Sequence, residues 1–118
     1  MNKENVQGDI VVSEDVIGSI ANLAALEVDG VVQLNSGFTA GLVEKFGKKN
    51  AGRGVKVVRN EEELIIDLSI IVEFGVEVPK VAERVQKKVK GSVEVMTGLR
   101  VIQVNVNVDG VRLNHKEE

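Results

Sequence analysis

The feature that most constrains the fold is the segment of residues 64–74, which is apolar on one side throughout. Successive side chains of a strand point to opposite faces of a sheet. One side of this segment would carry Leu64, Ile66, Leu68, Ile70, Val72 and Phe74. The other side would carry Ile65, Asp67, Ser69, Ile71 and Glu73. The alternation predicts a strand in a sheet with one packed face and one more polar face.

Four further segments have the composition of strands. Residues 55–59 precede the turn-like sequence of residues 60–63, which predicts a hairpin with the alternating segment. Residues 9–12, 31–34 and 99–108 complete the predicted set. In the last of these, one face would carry Ile102, Val104, Val106 and Val108, and the other Gln103, Asn105 and Asn107. The chain is 43% apolar with no Trp or Tyr, and its many β-branched residues suit a sheet.

Two helices are expected between the strands. Ser13 is a typical N-cap for the first, whose apolar residues recur at helical spacing: Val16, Ile17, Ile20, Leu23 and Ala24. Pro79 suits the first turn of the second, and Gly98 suits its end. Its apolar stripe is Val78, Val81, Ala82, Val85, Val89, Val93 and Met96.

The order of these elements is β-α-β-β-β-α-β, which predicts an α+β two-layer sandwich with both helices on one face of a mixed sheet. Residues 8–113 are expected to form a single domain, with polar tails at residues 1–7 and 114–118. Residues 35–54 contain five glycines and predict a long loop. We expect residues 37–53 to be the most mobile internal segment.

The residues needed for catalysis are sparse. The single histidine, His115, lies near the C-terminus, and there is no cysteine, so neither a nucleophilic triad nor a zinc site is expected. The glycines do not form a phosphate-binding motif. The sequence therefore predicts a non-enzymatic protein without cofactor or metal. The lack of cysteine favours a reducing compartment. No apolar run is long enough to span a bilayer, so we expect a cytoplasmic protein whose membrane association, if any, is peripheral.

Positive charge is concentrated in two clusters. Residues 1–44 have a net charge of −6, whereas residues 45–59 have a net charge of +6. The candidate anion-contact residues are Lys45, Lys48, Lys49, Arg53, Lys80, Arg84, Lys87 and Lys88. On the second helix, Lys80, Arg84 and Lys88 would face one another with Glu83 as the one compensating acid. An anionic partner would relieve this repulsion; an ordinary solvated helix face is the alternative. The lack of Trp and Tyr argues against single-stranded nucleic acid.

Several short motifs together resemble a known family. They are Gly8-Asp9-Ile10-Val11-Val12-Ser13 before Val16-Ile17, Glu73-Phe74-Gly75-Val76 before Pro79-x-Val81-Ala82, Met96-Thr97-Gly98-Leu99, and Val104-Asn105-Val106. Their order and spacing over residues 8–113 resemble the alkaline-shock (Gls-type) family of bacterial envelope stress proteins. Phe74 departs from the tyrosine expected there. The resemblance implies a soluble protein without assigned catalytic residues, which acts through a protein partner, in some members a membrane-anchored one, or through self-association.

The face of the sheet away from the helices is the candidate interaction surface. Its predicted residues are Ile65, Asp67, Ser69, Ile71, Val101, Gln103, Asn105 and Asn107. Ile65, Ile71 and Val101 would form an apolar patch rimmed by amides, as interaction sites often do. Substitution of Ile71 and Val101 by Lys should then reduce association while the fold survives. A solvated face is the structural alternative.

Two functions follow as hypotheses. The leading one is a cell-envelope stress protein that acts through protein–protein interaction at or near the inner face of the cytoplasmic membrane. The other is a nucleic-acid-binding module that uses the basic residues of 45–59 and 80–90. A salt-dependent shift assay separates them, because phosphate contacts give steep salt dependence.

Overall fold

The computed structural model describes residues 6–35 and 54–113. These residues form α1 (Glu14–Leu26), β1 (Val31–Leu34), β2 (Val55–Asn60), β3 (Glu63–Glu73), α2 (Val78–Thr97) and β4 (Arg100–Arg112). The predicted mobile segment, with Lys45, Lys48, Lys49 and Arg53, lies outside the described residues. The domain limits at residues 8 and 113 stay a prediction.

The sheet is mixed and is built around β3. On one side, β4 runs parallel to β3 along its whole length. On the other side, β2 pairs antiparallel with the first half of β3 and β1 with the second half. The two short strands meet at Ser69, which accepts from the Asn35 N–H (2.8 Å) and donates to the Gly54 carbonyl (2.9 Å). A side chain at Gly54 would put its Cβ 2.9 Å from the Asn35 carbonyl oxygen, and φ there is +75°, so the junction requires glycine.

Both helices pack on the same face of the sheet, as the sequence predicts. The side chains of β3 on that face are fully buried: Leu64, Ile66, Leu68, Ile70 and Val72. Four valines of α2 face them at helical spacing: Val81, Val85, Val89 and Val93. The predicted α+β two-layer fold with both helices on one face is therefore confirmed.

The first helix begins as predicted and buries part of its predicted apolar stripe. The Ser13 hydroxyl accepts a hydrogen bond from the Val16 N–H at 3.2 Å. Val16 and Leu23, predicted to face the core, are exposed. Ile17, Ile20 and Ala24 are buried as predicted, and the buried face also contains Gly18, Ala21 and Ala25. The additional buried residues are all small, which allows the helix backbone to lie close to the sheet.

The second helix follows its sequence signals closely. Pro79 lies in the first turn, and Gly98 ends the helix in the left-handed conformation with φ +76°. Met96, which the sequence predicts in the apolar stripe, is exposed. It follows Val93, the last buried residue of α2.

Two predicted strand features are wrong. Residues 9–12 form no strand, and Ile10 is 93% exposed. Within the described part of the chain no strand forms backbone–backbone hydrogen bonds with this segment, and strand propensity without a partner is not sufficient. Phe74, predicted on the packed face, is exposed. β3 ends at Glu73, and the Phe74 N–H donates to the Arg112 carbonyl.

A β-bulge near the start of β4 reverses the predicted alternation there. Leu64 lies opposite Val101 and Ile65 lies opposite Gln103, so Ile102 is an extra residue in β4. Val101 consequently lies on the helix-covered face, where it is 2% exposed, whereas Ile102 is 48% exposed. The sequence prediction places these two residues the other way round. Strict alternation does not anticipate an inserted residue.

Candidate functional site

The face of the sheet that the helices leave uncovered brings together seven of the eight residues predicted for the interaction surface. Strand register places three pairs side by side on this face, which we call the open face: Ile65 with Gln103, Asp67 with Asn105, and Ser69 with Asn107. Ile71 lies on it beside Gly110. Val101 is not part of it, because the bulge directs its side chain into the core.

The centre of the open face is a chain of hydrogen-bonded polar side chains. Gln103 Nε2 donates to Asn105 Oδ1 at 3.0 Å, and Asn105 Nδ2 donates to Asp67 Oδ1 at 2.6 Å. Asn107 Nδ2 donates to the Leu68 carbonyl at 3.4 Å. These bonds order side chains that would otherwise be free to rotate. Sequence reasoning named the residues but not the network, which depends on strand register.

Ile71 lies beneath two hydrogen bonds that cross the sheet. Arg112 Nη1 donates to Gln33 Oε1 at 2.7 Å, and Asn35 Nδ2 donates to Asp109 Oδ2 at 3.1 Å. Each bond joins the β1 side of the sheet to β4, so each passes over β3. Ile71, which pairs with both Gln33 and Gly110, is half-buried.

The apolar patch predicted from Ile65, Ile71 and Val101 therefore does not form. Ile65 and Ile71 are six residues apart on one strand, about 20 Å at ~3.3 Å per residue, with the polar side chains between them. Ile65 instead lies next to Val58 of β2, which is 42% exposed. Sequence reasoning missed Val58, although the register of the predicted hairpin could have identified it.

The basic residues of α2 are compensated more fully than predicted. Four lysines lie within 4 Å of a carboxylate: Lys80 with Glu77 (3.3 Å), Lys87 with Glu83 (3.9 Å), Lys88 with Glu27 (3.1 Å) and Lys90 with Glu94 (2.9 Å). The prediction of a single compensating acid is wrong. Glu27 is the C-cap residue of α1, so charge spacing along α2 alone could not reveal it. The anion-contact role of Lys80, Arg84, Lys87 and Lys88 stays a prediction.

Three side chains of α2 bond to the outer edge of β4. Gln86 Nε2 donates to the Val104 carbonyl at 3.1 Å, and Lys90 Nζ donates to the Val101 carbonyl at 2.9 Å. Glu94 Oε2 accepts from the Val101 N–H at 2.8 Å. The Lys90 side chain, followed by the Val101 N–H, holds the pKa of Glu94 below its usual range. These residues satisfy backbone groups that a strand edge otherwise leaves unpaired.

Across residues 6–35 and 54–113, no group of three or more His, Cys, Asp or Glu side chains is placed to hold a metal ion. Neither helix of this part is long and apolar enough to cross a membrane.

A match to a family model shows which protein family the chain belongs to. The model of the alkaline shock protein 23 family, which is described as having a cell envelope-related function, matches residues 2–113. The chain belongs to this alkaline-shock family. The resemblance found in the short motifs is thereby confirmed.

Bacterial relatives agree with the family assignment. Protein YqhY of Bacillus subtilis (strain 168) is 39% identical over 111 residues, which are 94% of this chain and 82% of YqhY. YloU of the same organism is 40% identical over 92% of each chain. A stress response regulator gls24 homolog of Streptococcus pyogenes is 32% identical over 96% of this chain and 64% of its own length. The chain thus belongs to a family that is described as having a cell envelope-related function. One of its relatives is named as a stress response regulator.

Solved structures share the fold at low sequence identity. A manganese form of the MamM CTD matches with a TM-score of 0.52 and 15% identity, over 83% of this chain and 99% of that one. A copper form matches with a TM-score of 0.53 and 13% identity, over 83% and 98%. At such low sequence identity, the likeness to these structures shows a shared fold and nothing about function.

Proposed function

We propose that this alkaline-shock family member is a non-enzymatic envelope stress protein that acts by binding another protein through the open face. The main support for this proposal is the combination of apolar and polar side chains on the open face. Ile65 and the exposed Val58 form an apolar spot beside the ordered polar chain of Gln103, Asn105 and Asp67. An apolar spot with ordered amides at its rim is typical of protein interfaces.

The partner is proposed to be an envelope protein, with a membrane-anchored one as the leading candidate. The family description links the chain to the cell envelope, and no described helix could itself cross a bilayer. Location at the inner face of the cytoplasmic membrane would then depend on the partner. The bound protein would gain main-chain or side-chain hydrogen bonds from amides, which cost less to desolvate than charged groups.

The test compares partner recovery by two surface variants. The Val58→Lys/Ile65→Lys double variant places charge at the apolar spot of the open face. Val95→Lys is the matched control, because Val95 is 84% exposed on α2, which covers the opposite face. Each tagged chain is purified from detergent-solubilised membranes, and co-purifying proteins are quantified by mass spectrometry.

We expect a partner that Val95→Lys retains at the wild-type level and that the open-face variant loses. Circular dichroism and thermal unfolding confirm that both variants are folded. Equal recovery by all three chains would contradict the proposal. Val101 is excluded from the test, because a lysine there would bury an unpaired charge in the core.

A nucleic-acid-binding role has less support. The lysines of α2 are paired with acids, and the described residues of the other cluster are separated. Lys56 lies opposite Asp67 on the open face, whereas Arg59 donates to the Val12 carbonyl at 2.8 Å on the helix side. DNA and RNA shift assays at increasing salt test this alternative, which requires binding that falls steeply with salt concentration.

A further inference from the structure

Residues 6–12, which we call the N-terminal arm, contain strand-forming residues without a strand beside them. Ile10 is 93% exposed and Val11 is 77% exposed, although β-branched residues of this kind are favoured in sheets. The end of the arm is held in place, because Arg59 Nη1 donates to the Val12 carbonyl at 2.8 Å. The arm therefore presents two apolar side chains and free backbone groups to its surroundings.

The outer edge of β4, on the side away from β3, has no strand paired with it in the described part of the chain. It could therefore accept a strand such as the N-terminal arm. β4 pairs with β3 on one side, and α2 side chains satisfy the other side only at Val101 and Val104. From Asn105 to Arg112 no hydrogen bond joins this outer edge to another residue of the described ranges. Val111, in the same stretch, is 57% exposed. An unpaired edge of this length is a template for an added strand.

We propose that residues 9–12 of one copy of the chain add as a strand to the outer edge of β4, over residues 105–112, in a second copy. Main-chain hydrogen bonds would supply affinity, as in other cases of strand addition. The side chains of Ile10 and Val11 would gain neighbours on the acceptor strand. This surface is distinct from the open face, so the two proposals are independent.

The geometry requires a second copy, because the arm cannot reach β4 of its own chain. The bond from Arg59 holds Val12 beside β2, and β2 and β4 lie on opposite sides of β3. A strand added to β4 would be three strand spacings from β2, about 14 Å at ~4.8 Å each. Ile10 is two residues from Val12 and can reach only about 7 Å. Each copy carries both the free arm and the free edge, so copies of this chain suffice.

The first test measures self-association of the full chain by light scattering over a range of concentrations. We expect the wild-type mass to rise above that of the monomer with concentration. The Ile10→Asp/Val11→Asp variant should associate at least about tenfold more weakly, because two apolar side chains no longer bury against the partner. Val95→Asp, an equally exposed position on α2, should associate like the wild type. A wild type that remains monomeric throughout, or an arm variant that associates as tightly, overturns the proposal.

The second test locates the contact by disulfide trapping, which is clean because the chain has no cysteine. Chains with Ile10→Cys are mixed under mild oxidation with chains carrying Asn105→Cys, Asn107→Cys or Val111→Cys. A disulfide needs the two Cα atoms within about 7 Å, so at least one β4 position should give a mixed dimer. Mixing with Val95→Cys should not. The absence of every β4 cross-link, or equal cross-linking to Val95→Cys, would overturn the arm-to-edge contact and leave the open-face proposal unaffected.

Discussion

Two glycines of the helix layer have opposite surroundings. Gly91 is exposed in the middle of α2, and a Cβ added there would meet nothing within 4 Å. Gly30 follows α1 with φ +101°, and a Cβ there would lie 2.9 Å from Cγ2 of Val81. The first position thus tolerates a side chain, whereas the second is restricted by both its backbone and its neighbour.

Alanine substitutions should therefore change stability in opposite directions. Gly91→Ala is expected to raise the free energy of unfolding by about 1 kcal/mol, because alanine has the higher helix propensity. Gly30→Ala should lower it by at least about 1 kcal/mol, because an L-residue is strained at that φ. Urea denaturation measures both changes. If Gly30→Ala raised the free energy of unfolding, the positive φ of Gly30 and its close approach to Val81 would be contradicted.

Glu94 makes stability depend on pH in a defined direction. Its folded-state pKa is lowered from 4.5 by the Lys90 side chain and by the Val101 N–H. A carboxyl with a lowered pKa adds stability above its unfolded pKa, and this contribution is lost as the pH falls through the folded value.

The wild type should therefore be more stable than Glu94→Gln at pH 7, and the difference should shrink as the pH falls below about 4.5. Glutamine can still accept from the Val101 N–H, so the comparison isolates the charge. Thermal unfolding of both chains from pH 7 to pH 3 measures the effect. A difference that grows on acidification would contradict the assigned contacts of Glu94.

At the scale of the elements, the sequence predicts what is local and periodic. The predictions of β3, the hairpin and α2 are correct, because long alternating or helical patterns and terminal Pro79 and Gly98 are local signals. The prediction for residues 9–12 is wrong because a strand needs a partner that composition does not supply. That for Val101 is wrong because Ile102 is an inserted residue: alternation counted back from Gln103 no longer holds on the N-terminal side of the bulge, whereas Gln103, Asn105 and Asn107 keep their predicted face. The polar network of the open face depends on register and could not be predicted.

The bulge in β4 can be tested directly by a matched pair of substitutions. Val101→Asp places a carboxylate in the core and should unfold the chain or destabilise it by more than about 3 kcal/mol. Ile102→Asp changes a half-exposed side chain and should cost less than about 1.5 kcal/mol. Chemical denaturation ranks the two variants. If Ile102→Asp were the more destabilising variant, Ile102 rather than Val101 would face the core, and the bulge in β4 would be contradicted.

At the scale of the whole molecule, the two faces of the sheet have different chemistry. The helix side contains the apolar core, and the lysines on its outer surface are largely paired with acids. The open face carries the apolar spot of Ile65 and Val58 beside ordered amides. Seven of the eight residues predicted for it lie there, because alternation in β3, and in β4 after its bulge, fixes which side chains share a face. This difference between faces is the basis for proposing that the alkaline-shock chain binds a protein partner there.

Site-specific photocrosslinking in cells tests that claim most directly. A photoreactive phenylalanine analogue is introduced at position 58 of the open face in one chain and at position 95 of α2 in another. The account predicts that position 58 gives a discrete adduct with an envelope protein and that position 95 does not. Adducts of the same protein at position 95 with none at position 58 would contradict it and would place the partner on the helix side.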